Sequence, residues 1–349
     1  MTGDYTNGMD VSFLDEIEQG GGVFRYGSGP QAGQAADLLE ILRDSGVNSI
    51  RLRIWNDPPG GFCNLERTLV MAKRIKAAGL GFLLDFHYSD KWADPANQWK
   101  PQIWTGLDFE ALRLSVYEYT LEVLEALQYQ GTLPDMVQIG NEITPGFLWE
   151  EGRVDGQYDT QEQWIRFTEL VKAGIAGAKE IAPELPVMIH IDRGGDNDAS
   201  RRFFDRFEEH GVEYDVIGLS FYPWWHGTLA DLELNLGDLA QRYDKDIIVV
   251  ETAYPWTLAG PEGFPLIVKE AEQLHEGYPA TVEGQAAYLR ELHELIRRTR
   301  HDRGIGCYYW EPAWIPSQHE WSVGHANNWS NLTLFDYEGR ALASLDVLN

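Results

Sequence analysis

The sequence predicts a (βα)8 barrel, and three observations carry that prediction. Eight short β-rich runs alternate with helical patterns over about 300 residues. Most of these runs are apolar on both faces, as strands of a covered parallel sheet should be. Polar and aromatic residues collect at their C-terminal ends, where barrel loops carry function.

The runs are "GMDVSF" (8–13), "NSIRLRIW" (48–55), "GFLLDFHY" (81–88), "DMVQIGNE" (135–142), "PVMIHID" (186–192), "DVIGLSFY" (215–222), "DIIVVET" (246–252) and "GIGCYYW" (304–310). Helical patterns begin at Ala35, after Asn64 as N-cap, at Asp108, at Thr160, at Asp198, at Thr228 and at Val282. Thr160 and Gln163 have capping-box spacing. Gly46, Gly79, Gly131 and Gly211 end four helices, where glycine takes the left-handed conformation that turns the chain toward the next strand. No Pro/Ser-rich linker or shift in composition divides the chain, so one domain spanning 1–349 is expected. A doubly wound open sheet is the second choice. It lacks support because the glycines after the first run do not form G-x-G-x-x-G.

The 349 residues carry 28 Lys and Arg against 55 Asp and Glu, a formal net charge of −27. Phosphate recognition needs a basic footprint, so nucleic acid and anionic membranes are poor partners, and an acidic polymer is a poor substrate. Cys63 and Cys307 lack metal-type spacing and are expected as free thiols. The first residues carry no signal-peptide pattern, and no apolar run approaches the ~18 residues of a membrane span. As the chain stands, this predicts a cytoplasmic protein, or an extracellular one had a leader been removed. A monomer is expected.

Of the 13 tryptophans, only Trp164 falls in a predicted long helix; the others lie at strand ends or in loops. An aromatic rim with polar partners suits a pyranose, whose C–H face stacks on indole. Within that rim, two apolar runs end in glutamate: "VQIGNE" at Glu142 and "IIVVE" at Glu251. Glycosidic hydrolysis needs two carboxyl groups across the bond, one to protonate the leaving oxygen and one to act as nucleophile or to activate water. Glu142 and Glu251 are the catalytic candidates, with their roles unordered. An amide beside the acid, at Asn141, can hydrogen-bond a sugar 2-hydroxyl; the alternative is a turn or cap residue. His87, His190, Asp85 and Asp192 could bind a metal, but the first run offers "MDVS" rather than His-x-His. They are read instead as lining the sugar site or tuning the glutamates, with Asp10 beside them. No catalytic metal and no cofactor are expected.

The motifs "GMDVS", "IRLRIW", "DFHYSDKWADPANQWKP", "IGNEITPG", "FYPWW", "VVETAYPW" and "YYWEPAW" resemble glycoside hydrolase family 53, the arabinogalactan endo-β-1,4-galactanases. The resemblance runs from about Gly8 to the C-terminal "LTLFDYEGRALASLDVL". It implies a (βα)8 barrel and a retaining double displacement on β-1,4-galactan, with Glu142 as acid/base and Glu251 as nucleophile. It further implies that Arg53, His87, Asn141 and Tyr222 surround the reacting sugar, and that Trp92, Trp225 and Trp310 are sugar platforms. Another endo-β-1,4-glycanase of the same clan, acting on mannan or xylan, is the alternative, followed by a catalytically silent sugar-binding barrel. Bacterial members often carry calcium in the loops after the seventh and eighth strands. Here those loops lack an Asp cluster, so that site is expected to be missing, with Phe264, Leu266, Trp321 and Trp329 packing in its place.

Overall fold

The computed structural model describes residues 5–348 apart from 318 and 325, both of which fall in the loop after the eighth strand. Eight strands close into one parallel barrel. In chain order they are β1 (Thr6–Asp10), β2 (Ser49–Ile54), β3 (Gly81–Phe86), β4 (Met136–Ile139), β5 (Val187–Ile191), β6 (Val216–Ser220), β7 (Asp246–Thr252) and β8 (Gly304–Trp310). β1 closes the barrel by pairing with both β8 and β2. The last two strands match the sequence reading residue for residue. The others end one to three residues early, because the chain leaves the sheet to form the loops of the barrel mouth.

Among the described residues, besides the short loop helices Leu14–Gln19 and Pro223–His226, seven α-helices cover the outside: α1 (Leu38–Asp44), α2 (Leu65–Ala77), α3 (Phe109–Tyr129), α4 (Gln161–Ile181), α5 (Asn197–Glu209), α6 (Leu229–Tyr243) and α7 (Val282–Arg297). Asn64 caps α2 as predicted, and Asp108, where the third helical pattern begins, caps α3. Thr160 accepts from the Gln163 N–H, but the return half of the box is missing. The Gln163 amide instead donates to the carbonyls of Glu150 and Arg153, tying α4 to the preceding loop. Ala35–Ala36 is not helical; it pairs antiparallel with Phe24–Arg25, and the helix starts at the Asp37 cap. The four predicted C-terminal glycines all have positive φ, between 61° and 90°.

The main apolar core lies between strands and helices. Inside the barrel, the apolar plug is thin: Leu83, Met188, Val216, Ile248, Val250 and Tyr308. Tyr308 fills the space over Gly8, where a Cβ would stand 2.2 Å from its ring. Above this plug the inward positions turn polar. Cys63 and Cys307 are buried free thiols. No helix among the described residues is long and apolar enough to cross a membrane.

The loops after β7 and β8 fasten differently from the expectation. Trp321 and Trp329 are buried in the core, but Phe264 and Leu266 stay half-exposed, and Val268 takes the buried position. The fastening between the loops is polar. The fully buried Asn331 side-chain amide donates to the carbonyls of Thr257 at 2.7 Å and Val268 at 2.8 Å, while the Asn331 backbone carbonyl accepts from the Trp256 backbone N–H. Asn331→Ala should cost about 1–3 kcal/mol by denaturant unfolding, since two buried carbonyls lose their donor. A stability equal to the parent's would show that the loops are held by packing alone. Among the described residues, no cluster of three or more His, Cys, Asp or Glu side chains could hold a metal ion.

Candidate active site

A cavity of about 260 Å³ opens at the C-terminal mouth of the barrel and is lined by both Glu142 and Glu251. The two carboxylates arrive by different backbone devices. β4 ends at Ile139, and the chain then turns through Gly140 (φ 82°) and Glu142 (φ 48°). Left-handed backbone at a non-glycine residue is strained and persists where its surroundings hold it. Here the Gln98 amide clamps the carbonyl of Asn141 at 2.7 Å and that of Glu142 at 3.3 Å. β7 instead carries a bulge: Leu219 pairs with Val249 and Ser220 with Glu251, so Val250 is skipped. Ile248 and Val250 already point into the barrel. Simple alternation would send Glu251 outward, and the bulge re-aims it into the mouth.

Beneath the glutamates lies a polar layer centred on Arg51, which is 1% exposed. Its Nη1 donates to Asp10 and Glu251, and its Nη2 to Asp85 and Asn141, all at 2.8 Å. The Gln138 carbonyl accepts from the same guanidinium at 3.1 Å. One cation thus faces three carboxylates. A buried charge is tolerated only with such pairing, and the arrangement holds Glu251 rigidly. The Tyr222 hydroxyl donates to its second oxygen at 3.0 Å.

The electrostatics separate the two acids. Burial and then the Glu251 charge raise Glu142 well above the usual carboxylate range; the Ser220 hydrogen bond opposes this only in part. Burial also raises Glu251, to about 7, but the Arg51 guanidinium pulls it back. A proton shared by the pair therefore resides on Glu142.

The remaining residues expected at the site divide into two groups. Asp10, Arg53, His87, Asn141, Tyr222, Trp92, Trp225 and Trp310 line the cavity. Several of these are more structural than sugar binding requires. Asp10 spends its oxygens on Arg51 and Ser12. His87 Nδ1 accepts from the Trp55 indole and the Ala93 N–H, so its Nε2 proton goes to Asp85. Asn141 gives one amide proton to the Ala93 carbonyl and keeps the other. Trp225 is 55% exposed and available for stacking, whereas Trp92 and Trp310 are partly covered by neighbouring rings. His190 differs from expectation: it is fully buried behind Asn141 and Ser220, because its strand position points into the barrel below the mouth.

Sequence reasoning missed Arg51, Trp314 and Trp329, which also line the cavity. Arg53, the arginine that the resemblance implies, lies two residues from Arg51 on the same face of β2. The structure gives them different tasks. Arg53 donates to Glu311 at 2.9 Å and packs against the rings of Phe13, Trp55 and Trp92. Glu311 is fully buried, and burial raises its pKa to about 8 despite the Arg53 charge.

A carboxyl whose pKa is higher folded than unfolded stabilises the protein through its protonated form. That contribution is complete below the unfolded value of 4.5 and is lost as pH rises through about 8. Melting temperature should therefore fall across this window, and Glu311→Gln should flatten part of the slope. Glu142 and Glu251 would retain a slope of the same sign. Identical slopes in parent and variant would contradict this account of Glu311.

Residues 6–348 match the model of glycosyl hydrolase family 53. A Niallia circulans protein, "Uncharacterized protein in bgaB 5'region", is 61% identical over 98% of this chain and 92% of its own length. The "Arabinogalactan endo-beta-1,4-galactanase" of Thermothelomyces thermophilus is 37% identical over 97% of both. Among solved structures, the "Ignisphaera aggregans GH53 catalytic domain" superposes with a TM-score of 0.92 at 41% identity, covering 99% of this chain and 96% of that one. With the barrel, the two strand-end glutamates and a match along nearly its whole length, this chain belongs to glycosyl hydrolase family 53.

Proposed function

We propose that the protein is a retaining, endo-acting β-1,4-galactanase that hydrolyses galactan or type I arabinogalactan. The observation that carries the mechanism is the unequal environment of the two glutamates: Arg51 touches Glu251 and not Glu142. Glu142, which keeps the proton, donates it to the glycosidic oxygen. Glu251, held as a carboxylate by Arg51 and Tyr222, attacks the anomeric carbon and forms a glycosyl-enzyme. Glu142, now a base, takes a proton from the water that releases the sugar. The free N–H of Asn141 is placed to hold the sugar 2-hydroxyl. The chemistry needs two carboxyl groups and water, and no cofactor.

The substrate class rests on the likeness to the Thermothelomyces thermophilus galactanase. Trp225, exposed at the cavity rim, is the stacking platform that suits a polymer lying across the mouth. The test is digestion of linear β-1,4-galactan beside mannan and xylan, following the first products by proton NMR. Mixed oligosaccharides released first as the β anomer are expected. Preference for mannan or xylan would overturn the substrate, release of galactose alone would overturn endo action, and initial α anomer would overturn retention.

A further inference from the structure

Behind Glu142 runs a chain of buried groups that the double displacement does not itself use. The Ser220 hydroxyl lies 2.6 Å from Glu142 Oε1, and His190 Nε2 lies 2.8 Å from the Ser220 oxygen. His190 Nδ1 lies 3.0 Å from the Gln138 amide nitrogen and 3.0 Å from the Asn141 carbonyl oxygen. Gln138, His190 and Ser220 are all fully buried. Each can be donor or acceptor in principle, so the direction of the chain must come from a group with no choice.

Arg51 is that group, since a guanidinium only donates. It faces the Gln138 carbonyl at 3.1 Å, which fixes the amide the other way round toward His190. The Gln138 nitrogen, which only donates, lies nearer His190 Nδ1 at 3.0 Å than the Gly140 carbonyl at 3.1 Å or the Asn141 carbonyl at 3.2 Å, and the Asn141 carbonyl already accepts from Arg51 at 2.8 Å. His190 Nδ1 is therefore the acceptor, and the ring's single proton sits on Nε2. The ring is neutral, because burial and then the Arg51 charge beside it oppose a second proton. Nε2–H donates to Ser220, so the one hydroxyl proton of Ser220 points at Glu142 Oε1. Oε1 is left as an acceptor. The other oxygen, Oε2, has no hydrogen-bonding partner among the described residues, and Glu142 lines the cavity. The charges that face Glu142 are carboxylates: Glu251, Asp192 and Asp94.

We propose that His190 and Ser220 are positioning residues that keep the acid proton of Glu142 on Oε2, the oxygen turned to the substrate. No proton is transferred along the chain; its polarity selects which oxygen carries the one that is delivered. The inference rests on the reading of Glu142 as the acid.

Two measurements test it. In histidine-labelled protein, nitrogen-15 NMR should show His190 as a neutral Nε2–H tautomer, its signal assigned by its loss in His190→Gln. If that variant does not fold, the signal that shifts in Ser220→Ala assigns it. In kinetics, Ser220→Ala should lower kcat/KM on galactan about tenfold, as expected for losing one hydrogen bond to a charged group. It should also move the alkaline limb to higher pH, because the Ser220 bond favours the Glu142 carboxylate. A dinitrophenyl β-galactoside, whose leaving group needs no proton, should lose less than about twofold. Ser220→Thr should restore both substrates and the pH limb. An Nδ1–H tautomer, an imidazolium, or equal losses on both substrates with an unmoved limb would overturn the proposal. Retention of galactan hydrolysis by Glu142→Ala would instead overturn the acid assignment, and the tautomer measurement does not depend on activity.

Discussion

Glu251→Ala should lose galactan hydrolysis by at least roughly 10⁴-fold, about 5 kcal/mol or more of barrier. Added azide should then restore turnover and yield the α-galactosyl azide. The loss is large because no other carboxylate can take the place of Glu251. Asp10 and Asp85 share its cation but sit lower in the barrel, committed to Arg51. Azide fits the space left by the side chain and attacks from the same face, which fixes the product as α. Glu142→Ala should lose about 10²–10⁴-fold on galactan, the usual range for general acid catalysis. There, azide intercepts the glycosyl-enzyme from the opposite face and should give the β-galactosyl azide. Interchanged anomers would reverse the two roles. Parent-like hydrolysis in both variants would dismiss the site.

The second large effect is expected at Arg51. Arg51→Met leaves Asp10, Asp85 and Glu251 without their shared cation, and breaking a buried ion pair costs about 3–5 kcal/mol. Denaturant unfolding reads that loss. The pH profile supplies an independent reading. Glu251 acts as a carboxylate, so activity is present above its pKa and falls away as pH drops through it. Arg51 holds that pKa down, so removing it should move the acid limb to higher pH. Arg51→Lys keeps a charge but not two nitrogens, each bridging a pair of acceptors, and should fall between parent and Met. Parent stability together with an unmoved acid limb would contradict the role given to Arg51.

The alternation of runs and helices made the barrel legible from sequence, because each strand is a short apolar block and each helix has a cap or a terminal glycine. Glu142 was legible for the same reason: it ends an apolar run at the mouth. Glu251 was found by analogy of context, although strict period-two reading of "IIVVE" faces it away from the cavity. The bulge that corrects this depends on how β6 and β7 pair, a non-local fact. Arg51 and Arg53 share a strand and a face, so nothing local ranks their depth. The available signal was the set of inward polar positions on neighbouring strands, Asp10, Asp85 and Gln138, which together require a buried cation. His190 ends an apolar run and so reads as a residue of the mouth, but it lies one layer lower. The loop-fastening role of Asn331 had no signal, since asparagine in a long loop reads as a turn residue.

The Arg51 layer also bears on how the chain reaches its native state. Its acceptors come from β1, β3, β4 with the turn that follows it, and β7, separated by as much as 241 positions between Asp10 and Glu251. A half-formed barrel would enclose the guanidinium with only some of its partners, or the carboxylates without their cation. Desolvation of these groups is therefore compensated only when β1 and β7, which flank β8 in the ring, are both in place. That couples closure of the ring to formation of the polar layer and favours all-or-none assembly over stable fragments. The groups that arrange the catalytic carboxylate thus also penalise an incomplete ring.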